Sequence, residues 1–326
     1  QFKRALLERF EGRDEGELAV YLGVDITRDP SAGTLKLSQA PLIHALLERA
    51  GLADCNPATT PLPPGVHFTK TPSDEVLDPA LGATYREIVG ALQYLATWTR
   101  VDIAHAAHVL ARHAARPNAS HMAGAKHLLR YLKGTPDHGP TYGRPADKRT
   151  LNRLYGFTDS DWAADPDTRR SVGAFVLFLN GAPVAWRSKL QPSVALSTCE
   201  AEYMAASKAG TEVVWLRRLL AGLGFPQLLP TVLYEDNQAA IQLAANPVHK
   251  DRTKHIDMRR YALREFAADG VLQLVSCPTQ DMAADALTKA LPGPVFLRHR
   301  SVLLGSAPHT APHAPVPGVV ALLMLY

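Results

Sequence analysis

Four acids stand in surroundings that would let them meet: Asp159 in Phe157-Thr158-Asp159-Ser160-Asp161-Trp162, then Glu202, Asp236 and Asp285. Carboxylates gathered from separate elements are what a hard, compact Mg²⁺ ion takes as ligands, so a magnesium site is the chemistry they suggest. Any one of them is also just one of 31 acidic residues and reads equally well as a surface group. The argument rests on the set.

The elements that must position them follow from local pattern. Leu154, Tyr155 and Phe157 lead into Asp159, and the runs 172–179 and 184–186 read as two further strands with short turns, which predicts a three-strand meander with an acid on its first strand. Ser197 or Thr198 can cap a helix whose first turn is acidic, as the helix dipole favours. On that helix Glu202, Ala205, Ala206 and Ala209 share one stripe, so a carboxylate faces the same way as small residues that allow close packing on a sheet. Glu200 must point elsewhere. Asp236 stands straight after a strand-like run and Asp285 in a late helical stretch. Two-residue spacing puts Asp161 on the strand face of Asp159, and Asp281 lies one helical turn before Asp285, so periodicity alone does not choose within either pair. Glu200, Glu235, Asp161 and Asp281 are set aside as neighbours of the chosen acids.

The motifs Gly156-Phe157-Thr158-Asp159-Ser160-Asp161-Trp162, Ser197-Thr198-Cys199-Glu200-Ala201-Glu202-Tyr203-Met204-Ala205, Tyr234-Glu235-Asp236-Asn237-Gln238, Lys254-His255-Ile256-Asp257 and Ala284-Asp285-Ala286-Leu287-Thr288-Lys289 run in this order. Together they resemble the ribonuclease H domain of copia-type retrotransposon polyproteins. The resemblance covers roughly residues 151–305 and implies an α/β fold, a mixed five-stranded sheet with helices on both faces, with the fourth strand over 232–234, the fifth over 271–276 and Asp285 in the last helix. It also implies an endonuclease that cuts the RNA strand of an RNA/DNA hybrid with two Mg²⁺ ions, Mn²⁺ substituting, held by Asp159, Glu202, Asp236 and Asp285. In such chemistry two ions roughly 4 Å apart serve the attacking water and the leaving 3′ oxygen. By the resemblance Asp159 would bridge them.

The same resemblance extends upstream. Tyr21-Leu22-Gly23-Val24 and Leu37-Ser38-Gln39 look like the segment after a reverse-transcriptase active site, and the stretch from Tyr85-Arg86 to Lys133-Gly134-Thr135 resembles the thumb and connection region. The implied organisation is the end of a reverse transcriptase over 1–53, a linker over 54–82, a helical thumb and connection region over 83–145, the ribonuclease H-like domain over 151–305 and a disordered tail over 306–326. Polymerisation by this chain alone is not expected, because the Tyr-x-Asp-Asp type turn it needs is missing and no Asp-Asp pair occurs in the sequence. The chain opens on Gln1 without an initiator Met and reads as a fragment or processed product. Its expected partners are an RNA/DNA hybrid and the remainder of a reverse-transcription polyprotein, in cytoplasmic virus-like particles or the nucleus. A truncated remnant that binds nucleic acid or a polymerase partner without turnover is the alternative.

Local pattern in the first half predicts a hairpin from runs 18–26 and 34–37 around Asp29-Pro30-Ser31-Ala32-Gly33, then a helix over 39–51. Residues 54–82, rich in Pro, Thr and Gly, predict an extended and largely uncovered connection. Helices are expected over 85–97, 103–115 and 121–132. On the third, Lys126, Arg130 and Lys133 form a basic stripe, with Arg112 and Arg116 on the helix before it, that would suit a nucleic-acid backbone or a solvated face. His255 could contact phosphate or assist product release, or serve a structural hydrogen bond. The scattered histidines of 105–127 have no Cys or acid at ligand spacing, so no metal role is assigned to them.

Composition agrees with a globular chain long enough for two domains: 326 residues, 46% hydrophobic and 20% charged. A net charge of +4 permits a polyanion partner without requiring one. Three dispersed cysteines indicate neither a disulfide framework nor a zinc site. No run reaches the roughly 18 apolar residues of a membrane span, and no secretory signal precedes the first charged residues.

Overall fold

The computed structural model describes residues 2–14, 16–72, 75–143, 151–245 and 257–306. A short helix, α1 (Phe2–Arg9), precedes three antiparallel strands, β1 (Val20–Tyr21), β2 (Val24–Asp29) and β3 (Thr34–Ser38). The β2–β3 turn is held by Asp29 Oδ1, which accepts the N–H groups of Ser31 and Ala32 at 2.9 and 3.0 Å, and Gly33 supplies the left-handed residue at φ +65°. Helix α2 (Ala40–Arg49) follows and buries Ile43, Leu46 and Leu47.

The next twenty-odd residues have no regular helix or strand, as their prolines dictate, and most of them are exposed, but a few side chains anchor the segment. Leu62 and Phe68 are buried, and Phe68 packs its ring on His121 and His113. Proline content sets the backbone here, whereas the anchoring is done by the two apolar side chains that fall between the prolines. Helix α3 (Pro79–Trp98) then starts six residues before the apolar spacing begins at Tyr85, because Asp78 caps it, accepting from Ala80 and Leu81, with Pro79 in the first turn. Helix α4 (Ala104–Ala111) is shorter than expected and α5 (Ala119–Lys133) opens on a capping box between Asn118 and His121. Strand β4 (Thr141–Tyr142) returns to pair with β3.

The larger sheet is built from β5 (Tyr155–Asp161), β6 (Val172–Leu179), β7 (Ala182–Leu190), then α6 (Thr198–Gly222), β8 (Thr231–Glu235), α7 (Gln238–Ala245), α8 (Asp257–Ala268), β9 (Leu272–Ser276) and α9 (Gly293–Leu303). Its order is β7-β6-β5-β8-β9, antiparallel through the meander and parallel from β5 to β8 to β9. This is the expected mixed five-stranded sheet with helices on both faces. On one face Tyr203, Ala206, Ala209 and Val213 of α6 pack against Phe175, Leu177, Leu233 and Leu272. The other face, with Phe157, Val176, Phe178 and Tyr234, shares a single core with residues of α3, α4, α5 and α9. The helical first half is therefore packed directly on the sheet. Trp186 Nε1 donates to Ala96 O at 2.7 Å, Leu190 N donates to His108 Nε2 at 3.0 Å, and Arg112 pairs with Asp165.

Candidate metal centre

Strand register brings the first two acids together. Phe157 pairs with Tyr234 across the parallel β5–β8 ladder, their rings stacked at 5.0 Å, and Asp159 and Asp236 each lie two residues beyond that rung. Equal offsets on parallel strands put both carboxylates at one end and on one face. The third acid comes from α6, where Ser197 caps the helix by accepting from Glu200 N at 3.2 Å. Buried Ala205, Ala206 and Ala209 let α6 lie close on the sheet, and Glu202 in its second turn reaches the strand ends. One oxygen from each of Asp159, Glu202 and Asp236 lies within 4.8 Å of the others. Glu200 does point elsewhere, accepting Leu196 N at 2.8 Å as part of the helix start.

Asp285 adjoins this trio at Asp159, within side-chain hydrogen-bonding reach of it. It does not sit in a last α-helix as expected but in a five-residue 3₁₀ helix (Ala283–Leu287) that precedes α9. Met282, at ψ 89°, breaks the helical path before it, and Pro292 opens a new helix after it, so the alanine-rich stretch has room for little more than one turn. Asp281, the rival one turn earlier, is turned outward to Arg298. Asp161 stays on the face of Asp159 but outside the converging trio.

The sequence reading missed three neighbours. Glu235, set aside above, is fully buried beside Glu202; its Oε1 accepts Asn237 N at 3.1 Å and its Oε2 has no partner. Strand alternation could have flagged it, since a residue preceding Asp236 must point to the α6 face. Lys289 meets Asp285 Oδ1 at 2.9 Å, a contact visible in the sequence as an i,i+4 pair. Thr288 donates its hydroxyl to Asp159 Oδ2.

Electrostatics show what the arrangement lacks. Burial, then the Asp285 charge, pushes Asp159 up to about 7, against the pull of Lys289 and the Thr288 hydroxyl. Burial, then Glu235, Asp159 and Asp236, raises Glu202 far above the usual carboxylate range, and Glu235 is raised for the same first reason. Lys289 loses from burial but gains more from Asp159 and Asp285, so its pKa ends raised. Five neighbouring acids face one ammonium; ionised together they would leave a surplus of negative charge in a place that is 3% exposed at Asp159 and 6% at Glu202, and the raised pKa values of Asp159, Glu202 and Glu235 are the response to it. Glu202 Oε2 is buried with no hydrogen-bond partner. A divalent cation would satisfy both the surplus and the orphaned oxygen, and an all-oxygen donor set suits Mg²⁺ or Mn²⁺ and not a thiolate-seeking metal.

The basic residues of the sequence reading lie apart from the acids. On α5 Lys126 is exposed, Arg130 donates Nε to Asn56 O at 2.8 Å, and Lys133 is half-buried. None of them bonds to the carboxylates. Arg112, which the stripe was to include, is taken up by Asp165. His255 lies outside the described residues.

No protein-family model matches the chain. It is 38% identical over 291 residues to the retrovirus-related Pol polyprotein from transposon RE1 of Arabidopsis thaliana, covering 89% of this chain and 19% of that protein. To the retrovirus-related Pol polyprotein from transposon TNT 1-94 of Nicotiana tabacum it is 37% identical over 295 residues, covering 90% and 22%. The chain thus spans about a fifth of the length of these relatives. Among solved structures, LC11-RNase H1 from a compost metagenome aligns at TM-score 0.34 with 16% identity, over 42% of this chain and 94% of that one.

Proposed function

Because the chain belongs to the family of retrovirus-related Pol polyproteins of transposons, we propose that it carries the ribonuclease H of such a polyprotein, a metal-dependent endonuclease that cuts the RNA strand of an RNA/DNA hybrid. The observation that supports this most directly is the convergence of Asp159, Glu202 and Asp236 within 4.8 Å around a buried, unpartnered Glu202 oxygen. With Asp285 they form the donor set for two Mg²⁺ ions, for which Mn²⁺ may be exchanged. Bound there, the ions would supply charge stabilisation and a water activated at neutral pH.

The chain's own part is to hold that donor set rigid and water-poor. Thr288 fixes one Asp159 oxygen by hydrogen bond, Lys289 fixes Asp285, and Thr279 Oγ1 donates to Asp236 Oδ2 at 2.9 Å. Each contact orients a carboxylate without filling all of its acceptor positions, which leaves oxygens free to take a cation. Lys126 and Lys133 remain available to a phosphate backbone, while Arg130 is partly committed to the Asn56 carbonyl. On the family reading the partner is the rest of the polyprotein, acting in virus-like particles or the nucleus. No described helix is long and apolar enough to cross a membrane.

The test is cleavage of an end-labelled RNA/DNA hybrid by the full chain. Mg²⁺ or Mn²⁺ should support cutting of the RNA strand, EDTA should stop it, and Ca²⁺, which accepts looser and higher coordination, should inhibit. Asp236→Asn should lower the rate by at least about a hundredfold, the scale of losing metal-site interactions. Cleavage that persists in EDTA would overturn the reading, and hybrid binding without any turnover would leave a non-catalytic binding remnant.

A further inference from the structure

At the outer edge of the larger sheet lies a feature that the nuclease chemistry does not use. β7 is the edge strand, and its face toward α6 carries Arg187 and Lys189, opposite Phe175 and Gly173 of β6. With Lys208 and Gln191 they line a cavity of about 330 Å³ between the strand and α6. A second cavity of about 550 Å³ shares Phe175, Arg187 and Lys208 and continues along β7 to Trp98 and His108 at the foot of the helical half. The two adjoin at these three shared residues and are together called the trough.

Its charge is unbalanced. Among the described residues Arg187, Lys189 and Lys208 make no ion pair, and Glu212, in the second cavity, is the one acid lining either part. The effect is felt by His108, which burial first, then Arg112, Lys189 and Arg187, depress to about 4. Gln191 is 6% exposed, and its Nε2 donates to Ser160 Oγ and Ala201 O, which ties the trough wall to β5 and α6. Trp98 stands at the other end with 36% of its surface exposed, beside Tyr94 at 6.1 Å between ring centroids.

Unpaired cations along a recessed path call for a polyanion, and an exposed indole at its end calls for a flat ring. Inside a duplex the bases are already stacked on one another, so an unpaired base is the ring that fits such a site best. We propose that the trough binds a single-stranded stretch of nucleic acid, its phosphates against Arg187, Lys189 and Lys208 and a base on Trp98. Resting on the nuclease reading, that strand is the unpaired overhang of the hybrid. The trough starts near the acids: Gln191 bonds to Ser160, which adjoins Asp159, and Ala205 in its lining is one helical turn from Glu202. An overhang seated there would hold the hybrid end in register with the cut.

The experiment measures binding of labelled oligothymidylate to the full chain in EDTA across a salt series, beside cleavage in Mg²⁺ of one hybrid with and without an overhang. The triple variant R187Q/K189Q/K208Q should bind about tenfold more weakly or worse, with a log–log salt slope shallower by about two, at roughly 0.7 for each lost phosphate contact. R187K/K189R/K208R should keep the slope, which separates lost charge from misfolding. Trp98→Leu should weaken binding about fivefold or more with the slope unchanged, as expected for loss of one stacked base. The triple Gln variant should cut the blunt hybrid like the parent and lose its advantage on the overhung one. An unchanged slope overturns the proposal, as does an equal loss on blunt hybrid, which would make the trough a duplex contact. If the parent cuts no hybrid yet binds oligothymidylate with the charge-dependent slope, the nuclease reading fails and the trough stands.

Discussion

Two clusters of buried charge in this chain are built to opposite rules. Arg100 and Asp102, both 0% exposed, close on themselves: two guanidinium nitrogens donate to the two carboxylate oxygens at 2.9 and 2.8 Å. Thr135 accepts two further Arg100 hydrogen bonds, and the Tyr131 hydroxyl donates to Asp102 at 2.6 Å. Charge is balanced and the polar atoms are satisfied. The acids around Asp159 are nearly as buried, yet five carboxyl groups share a single ammonium at Lys289, three of them hold their protons well above the usual carboxylate range, and oxygens on Glu202 and Glu235 are orphaned. Burial of charge alone therefore does not mark a site; an unfinished balance does. The first cluster ties α5 to the segment after α3, and the second is left open in the way the proposed cation would close.

The largest expected effects break this contrast by mutation. Arg100→Leu would leave the Asp102 carboxylate buried and unpaired, which should destabilise the chain by about 3–5 kcal/mol whether or not Mg²⁺ is present. Asp236→Asn should act the other way on the metal-free protein: stability level or raised, because repulsion is relieved, and the rise in melting temperature on adding Mg²⁺ reduced. Urea and thermal unfolding in EDTA and in Mg²⁺ measure both. A large loss of metal-free stability in Asp236→Asn would mean that the acids are structural, and the contrast would be gone.

A smaller effect sharpens it through pH. Asp159, raised from 3.8 to about 7, binds its proton more tightly folded than unfolded, so the metal-free chain should lose stability as pH rises from about 4 to about 7. Glu202 adds to the same trend. Asp102 has the opposite sign: despite burial, Arg100 holds its pKa below 3.8, so its contribution is present above that pH and lost on acidification. Melting temperatures in EDTA between pH 5 and 7.5 should fall with pH, less so in Asp159→Asn and less so with Mg²⁺. A profile that Asp159→Asn leaves unchanged would remove the carboxylate cluster as its cause.

The contrast also explains how much was legible in the sequence. The sheet was readable because β6 is a near-continuous apolar run and α6 repeats small residues at helical spacing, both local signals. Asp159, Glu202 and Asp236 were picked out by the motifs of the resembled family, each within or straight after such an element; periodicity alone did not separate Asp159 from Asp161. Glu235 was passed over: strand alternation turns it to the α6 face, but the depth of its burial depends on how closely α6 approaches β8, a tertiary fact. The closed Arg100–Asp102 network was missed entirely: Arg100 and Asp102 look like loop charges, and Thr135 and Tyr131, which satisfy them, lie some thirty residues on. The segment 54–82 is mostly exposed, as its composition suggested, but proline content reports backbone shape and gave no sign that Leu62 and Phe68 would anchor it.

The smallest expected effect concerns Asp161, which tests whether the site is set by geometry or by acidity alone. It shares the β5 face with Asp159, and burial raises its pKa, with Lys289 and His67 opposing that rise. What distinguishes the two is reach: Asp159 has an oxygen within 4.8 Å of Glu202 and Asp236, and Asp161 is not among that trio. If coordination governs, Asp161→Asn removes one partly screened charge near Lys289, an effect below about 1 kcal/mol, and cleavage should stay within about threefold of the parent. The Mg²⁺-dependent rise in melting temperature should likewise be retained. Asp159→Asn, equal in chemistry and two residues away, should abolish cleavage and shrink that rise. Equal losses in both variants would mean that local negative charge, and not a defined set of ligands, recruits the metal; loss in Asp161→Asn alone would move the ligand along the strand.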